Sequence, residues 1–169
     1  MNNSQLINQD SGNTEYFTPT SIVETARCVM GTIDLDPASS ELANQRIRAT
    51  RFFTAADNGL EQEWRGNIWL NHPFSRQNNK LWIAKLVAEY QAGRVTQACC
   101  ITFAATSEQW FRPLLERLQC FIAGRTNYYL PDGSLKKGVT KGSVITYFGH
   151  NTTGFVNHFR HLGIIKAQI

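Results

Sequence analysis

The strongest constraint on this chain is a strand–helix–strand pattern near its middle. Residues 67–74, "NIWLNHPF", form an apolar run without polar alternation, as expected of a strand covered on both faces. Residues 78–93, "NNKLWIAKLVAEYQAG", repeat apolar side chains at Leu81, Trp82, Leu86, Val87 and Tyr90 and stop at Gly93, which predicts a helix. Residues 97–105, "QACCITFAA", then predict a second buried strand. Two buried strands joined through a helix demand an α/β sheet with parallel strands at its centre. Ligands in such sheets bind outside the carboxyl ends of strands, so the abrupt stop at Asn71-His72-Pro73-Phe74 marks a candidate site.

The remaining elements are read one at a time, since no internal repeat or low-complexity segment is present. Residues 18–30 predict a helix with Pro19 near its first turn, and residues 32–37, "TIDLDP", a short strand. Ser39-Ser40-Glu41 reads as a capped helix start, with a hydroxyl for the free backbone N–H groups and an acid in the first turn. Residues 51–54 predict a short strand, 107–118 a shorter helix interrupted at Pro113, 120–130 a strand, 132–142 a basic loop or hairpin turn, and 143–149 the last strand.

A chain of 169 residues suits one compact domain with a core of its own. No apolar run approaches the roughly 18–20 residues of a membrane span, so a soluble protein without a membrane partner is expected. The polar N-terminus lacks the features of a secretory signal, which predicts a mobile tail over residues 1–14, a domain over 15–169 and a cytoplasmic location. Cys28, Cys99, Cys100 and Cys120 lack metal-site spacing and read as small buried apolar residues, with no metal expected. Residues 1–93 hold eight Lys/Arg against ten Asp/Glu, a net of −2, whereas residues 94–169 hold nine against three, a net of +6. A basic half of this kind is either a solvated face or the footprint of a nucleic-acid partner.

Three short stretches occur in order: Tyr16-Phe17-Thr18-Pro19, Asp36-Pro37-Ala38-Ser39 in "DLDPAS", and Asn71-His72-Pro73-Phe74. With them the chain resembles the phage-type, Dam-like family of DNA adenine-N6 methyltransferases, from about Glu15 to Gly149. The resemblance implies a single Rossmann-like methyltransferase domain with a mixed, mainly parallel sheet, pared down in its first half. It also implies S-adenosylmethionine as cofactor, DNA as partner, base flipping with in-line methyl transfer, and a phage or prophage origin.

In that class an (Asp/Asn/Ser)-Pro-Pro-aromatic turn is catalytic, and residues 71–74 match it. An aromatic amino group is a poor nucleophile because its lone pair is delocalised. The Asn71 side-chain oxygen and the main-chain carbonyl of His72 can hold both N–H bonds and offset the charge that develops on nitrogen. Pro73 fixes the turn, and Phe74 offers a face to an extruded base. The resemblance assigns the cofactor to Tyr16, Phe17, Thr18, Pro19, Asp36, Pro37, Ala38 and Ser39, with Asp34 and Asp57 as further candidates. For Asp57 in "ADNGL" a loop-stabilising role competes, and for Asp34 a solvated strand edge.

No separate target-recognition domain is evident, so loops must read DNA. Candidates are Arg76 and Lys80 after the catalytic turn, and Arg125, Asn127, Tyr128, Lys136, Lys137 and Lys141 in the basic stretch. Two departures from the family pattern stand out: His72 replaces the first proline, and Ser39-Ser40 stand where many cofactor loops carry Gly-x-Gly. An exposed loop histidine is expected, with a pH-sensitive gate or a DNA-backbone contact as the functional alternatives. Cytosine N4, RNA or a protein glutamine as acceptor, and an inactive DNA-binding relative, stay open on these residues.

Overall fold

The structure is a computed structural model in which residues 16–169 are described; the expected tail over residues 1–14 lies outside them. Helix α1 (Thr20–Met30) leads into β1 (Leu35–Asp36), α2 (Glu41–Ile47), β2 (Arg51–Phe52), β3 (Gly66–Leu70), α3 (Arg76–Gln91) and β4 (Val95–Phe103). A 3-10 turn (Gln109–Phe111), α4 (Arg112–Leu115), β5 (Leu118–Ile122), β6 (Ser143–Phe148), α5 (Thr152–Phe159) and β7 (Gly163–Lys166) follow. One sheet holds all seven strands in the order β2-β1-β3-β4-β6-β5-β7. The pairs β1–β2, β1–β3 and β3–β4 are parallel, whereas β6 is antiparallel to β4 and to β5, and β7 is antiparallel to β5. This is the expected mixed α/β sheet, and its first half is pared down to two strands of two residues each.

Alternation along the central strands explains the two cores. Trp69, Cys99, Ile101, Ile145 and Tyr147 face α1 and α5, packing with Ile22, Val23, Ala26, Phe155 and Phe159. Ile68, Leu70, Ala98, Cys100, Val144 and Phe148 face the other way, onto Trp82, Ile83 and Leu86 of α3 and onto Phe111 and Leu114. Cys99, Cys100 and Cys120 are buried as expected; Cys28, on the outer side of α1, is exposed, which corrects its assignment to the core.

Ser40 caps α2 by accepting from the Ala43 N–H at 3.1 Å, as its position before Glu41 predicts. Pro113 does not interrupt a helix, because it falls in the first turn of α4, where no backbone donor is needed. The strand expected over 120–130 stops at Ile122, and Gly124 turns the chain away with φ +73°. Nor is β6 the last strand: α5 and β7 follow it, and β7 pairs with β5. The mixed composition of residues 152–166 hides these elements, since α5 buries only Phe155 and Phe159 and β7 lies at the sheet edge.

From β1 the chain crosses outward to β2, and from β3 it crosses the opposite way to β4. The carboxyl ends of β1 and β3 therefore flank a topological switch point, where open α/β sheets leave a crevice. The pairing Phe103↔Ser143 places the start of β6 beside the end of β4, so the long 123–142 connection lies along the same edge.

Candidate active site

A cavity of about 250 Å³ opens at that switch point. Its walls come from Tyr16, Phe17 and Thr18, from the 36–40 turn after β1, from α2, from residues 54–60 after β2, and from Trp69, Asn71, His72 and Pro73 at the end of β3. Of the residues expected at a cofactor site, the structure gathers Tyr16, Phe17, Thr18, Asp36, Pro37, Ala38 and Ser39 around one space, together with Asn71, His72 and Pro73 of the turn expected to be catalytic. Pro19 stands outside as the N-cap of α1.

The Asp36 carboxylate is buried at the end of β1 and accepts from the Ala38 N–H at 3.2 Å. Burial raises its pKa to about 7, against the opposing pull of hydrogen bonds from the Ser39 hydroxyl and the Ala38 N–H. Gly59 lets the 54–60 loop close on this turn: a Cβ there would lie 1.9 Å from the Pro37 carbonyl oxygen.

Two acidic candidates lie elsewhere. Asp34 sits at the amino end of β1, away from the cavity, where it accepts from the Thr32 hydroxyl and from the Asn67 N–H, both at 2.8 Å. It is neither a cavity residue nor a simply solvated one; it ties the starts of β1 and β3 together, beside Gly66, where a Cβ would meet its Oδ2 at 2.3 Å. Asp57 is exposed and accepts from the Thr54 N–H at 2.7 Å and the Thr54 hydroxyl at 2.8 Å, bonds that hold its carboxyl below the usual range. The loop-stabilising alternative describes this arrangement.

At the turn over residues 71–74, Asn71 donates from Nδ2 to the Tyr16 carbonyl oxygen at 2.6 Å. That bond fixes the amide and leaves Oδ1 without a hydrogen-bond partner among the described residues. The expectation of an exposed His72 fails: the residue is 1% exposed, because the first turns of α3 fold back over it. Its Nε2 lies 2.7 Å from Asn79 Oδ1, and its ring stacks on Trp82 at 6.5 Å. Burial pushes its pKa down to about 4, so the imidazole is neutral, and with an acceptor facing Nε2 the proton sits on that nitrogen. Neither a DNA-backbone contact nor a gate working near neutral pH suits a ring held in this way.

Phe74 is likewise enclosed, at 4% exposed. Its ring lies 4.6 Å from Phe103, 6.1 Å from Tyr128 and 6.0 Å from Tyr16, the last nearly parallel at 27°. No open face is offered to a base in this conformation.

Along the 123–142 connection, Arg125, Asn127, Lys137 and Lys141 are exposed, as are Arg76 and Lys80 on α3. Tyr128 is not available to DNA: it is 1% exposed and shares a 2.8 Å hydrogen bond with Ser143. It anchors the connection while Tyr129 exchanges two backbone hydrogen bonds with Phe17, at 2.7 and 2.9 Å. The Lys136 ammonium lies 5.5 Å from the centre of the Tyr16 ring, and that of Lys141 5.5 Å from the Phe103 ring.

Sequence reasoning missed Trp69, Ser40, Ala43, Arg46, Ile47, Asn78 and Trp82 as cavity residues. Helical spacing carried a signal for several of them, since Ala43, Arg46 and Ile47 share one face of α2, as Asn78 and Trp82 share one of α3. Among the described residues, no three His, Cys, Asp or Glu side chains converge to hold a metal ion, and no helix is long and apolar enough to cross a membrane.

Residues 6–153 match the family described as DNA N-6-adenine-methyltransferase (Dam). No curated protein matches the chain.

Proposed function

We propose, from the premise that the chain belongs to the DNA N-6-adenine-methyltransferase (Dam) family, that the turn at residues 71–74 performs the reaction beside a cofactor held in the switch-point cavity. Membership makes the protein an enzyme that methylates the N6 amino group of adenine in DNA, in a family whose methyl donor is S-adenosylmethionine. The residue roles below are our reading of the site.

The observation that carries this reading is the state of Asn71. Its Nδ2 is engaged by the Tyr16 carbonyl, so the oxygen, an acceptor, is the end left to receive an amino group. The His72 carbonyl supplies the second acceptor. Together they hold both N6–H bonds, favour a pyramidal nitrogen and direct its lone pair for in-line displacement. A neutral His72 suits this task, since an imidazolium beside the nitrogen would oppose the positive charge that develops there. Adenine N6 cannot be reached inside a duplex, so the base must leave the stack and settle on Phe74.

The cavity suits S-adenosylmethionine, which when bound supplies a methyl group on an electrophilic sulfonium. Trp82, Leu60 and Ile47 offer apolar surface for adenosine, and Asp36 an anion for the ammonium of the amino-acid part. On three of the lining residues a buried polar atom, Thr18 Oγ1, Trp69 Nε1 and His72 Nδ1, lacks a hydrogen-bond partner among the described residues. The exposed Arg125, Lys137 and Lys141, with Arg76 and Lys80, supply charge for the DNA backbone.

The test is incubation of the protein with labelled S-adenosylmethionine and unmethylated DNA, followed by digestion to nucleosides. Label is expected in N6-methyladenine. Asn71→Ala should lower turnover by about 10²–10³-fold, the effect of losing one such stabilising group, with calorimetric affinity for S-adenosylhomocysteine retained. Undiminished turnover in that variant would remove Asn71 from the mechanism.

A further inference from the structure

Residue 16 touches both ends of the catalytic turn. Its carbonyl accepts from Asn71 at 2.6 Å, and its ring lies nearly parallel to that of Phe74, 27° and 6.0 Å away. These are the two groups to which a target base must be presented, one by its polar edge and one by its face. The rings of Phe103 and Tyr128 also enclose Phe74, but neither lines the cavity; Tyr16 does. The His72 ring, edge-on to Phe74 at 5.7 Å, lines the cavity too, but Asn79 and Trp82 hold it; of the phenyl and phenol rings around Phe74 among the described residues, Tyr16 lines the cavity.

The backbone and the side chain of residue 16 are held differently. On the backbone side, the carbonyl grips Asn71, and next to it Phe17 and Tyr129 exchange two hydrogen bonds. On the side-chain side, the ring is held by aromatic contacts to Phe74 and Tyr128, both at about 6 Å, and by the Lys136 ammonium over its face. The Tyr16 ring is only 8% exposed, and a base stacked on Phe74 would replace the area the ring buries there as well as its aromatic contact. A base can therefore displace the ring by rotation about its side-chain bonds while the backbone stays clamped.

We propose that the Tyr16 ring is a placeholder for the target adenine: it covers Phe74 until an extruded base takes its seat, while the Tyr16 carbonyl keeps Asn71 Oδ1 aimed at the incoming amino group. Tyr16 is thus a positioning residue in two parts, a fixed carbonyl and an exchangeable ring. The ring keeps an apolar stacking face from standing open to water when no DNA is bound, and it competes with the base for that face. This inference rests on residues 71–74 being the catalytic turn.

Tyr16→Ala separates the two parts, because it removes the ring and keeps the carbonyl. With unmethylated DNA and saturating S-adenosylmethionine, the variant should lower the KM for DNA and raise kcat/KM by about tenfold, the scale of one aromatic pair removed. Saturating cofactor keeps the lost wall contact out of these values, and calorimetry with S-adenosylhomocysteine measures its effect separately. A fall in kcat/KM, an unchanged value, or a loss of cofactor affinity as the main effect would overturn the proposal, since each makes the ring a working or structural wall. Should the variant fail to fold, the wild-type chain decides by NMR. Nuclear Overhauser contacts between the Tyr16 and Phe74 rings should be present with S-adenosylhomocysteine alone and vanish when unmethylated DNA is added; their persistence in the DNA complex would overturn it. A wild-type protein that transfers no methyl group to DNA would instead sink the functional reading beneath it.

Discussion

The carboxyl edge of the sheet carries two regions of opposite character. At the ends of β1 and β3 an acid, an imidazole and several polar atoms without a partner among the described residues are buried around a small cavity. Along the 123–142 connection, charge lies on the surface, and the buried residues are Thr126 and Tyr128. On the function proposed above, the difference follows from what each region binds. A small molecule is recognised by groups held dry and fixed, whose pKa values move as a result; a polyanion is recognised by cations on the solvated surface. Tyr16 and Phe17 join the two, since their chain touches Asn71 on one side and Tyr129 on the other.

Substitutions that act on one region and spare the other sharpen this contrast. The largest effect is expected from Gly59→Ala, whose Cβ would lie 1.9 Å from the Pro37 carbonyl oxygen. Overpacking there should cost about 1–3 kcal/mol in urea unfolding and weaken S-adenosylhomocysteine in calorimetry. Equal weakening of DNA binding would show that the two regions are not separable.

Next comes a proton-linked effect confined to the cavity. Asp36 holds its proton up to about pH 7 in the folded protein, and a bound ammonium favours its ionised form. Cofactor affinity should therefore rise with pH by up to about tenfold per unit below 7 and level off above it. In Asp36→Asn that dependence should disappear, and its survival would take Asp36 out of the cofactor site.

On the basic side, replacing Arg125 and Lys137 together with alanine should reduce the slope of log affinity for DNA against log salt by about 0.9 for each phosphate no longer neutralised. Cofactor binding should not change. An unaltered slope would make the connection an ordinary solvated surface.

The last effect concerns stability alone. His72 has its pKa lowered to about 4, so between about 4 and its ordinary 6.5 the unfolded chain binds more protons, and stability drops as pH falls through that window. Asp36, raised from 3.8 to about 7, has the opposite sign: the folded state binds more protons there, and stability drops as pH rises. The two oppose each other between about pH 4 and 6.5. His72→Gln leaves the Asp36 effect unbalanced, so relative to wild type the variant should gain stability as pH falls across that range, by at most about 1.4 kcal/mol per unit. Parallel curves in pH-dependent melting would rule out this pair of opposing titrations.

Much of the arrangement was legible beforehand. The helix over 78–93, the buried strands around Trp69 and Cys99, and the Ser40 cap all announce themselves through apolar spacing or a local hydrogen-bonding residue. The three short motifs come together at one cavity because each follows a strand or leads a helix at the same sheet edge. Less was legible where identity depends on neighbours distant in sequence. Nothing in "NHPF" tells that Asn79 and Trp82 fold back on His72, or that Tyr16, Phe103 and Tyr128 close around Phe74. Asp34 and Asp36 alternate along one short strand, yet one braces its start and the other enters the cavity at its end.

What the sequence determined by itself is the set of local choices: periodicity that makes strands and helices, caps and breakers that end them, and turn residues that can hold an amino group. What only the tertiary structure decided is which of those polar and aromatic groups meet water, each other or open space. That outcome depends on contacts across 55 residues, as between Tyr16 and Asn71, which no local pattern encodes. Burial then sets protonation, and with it the chemistry each side chain can perform.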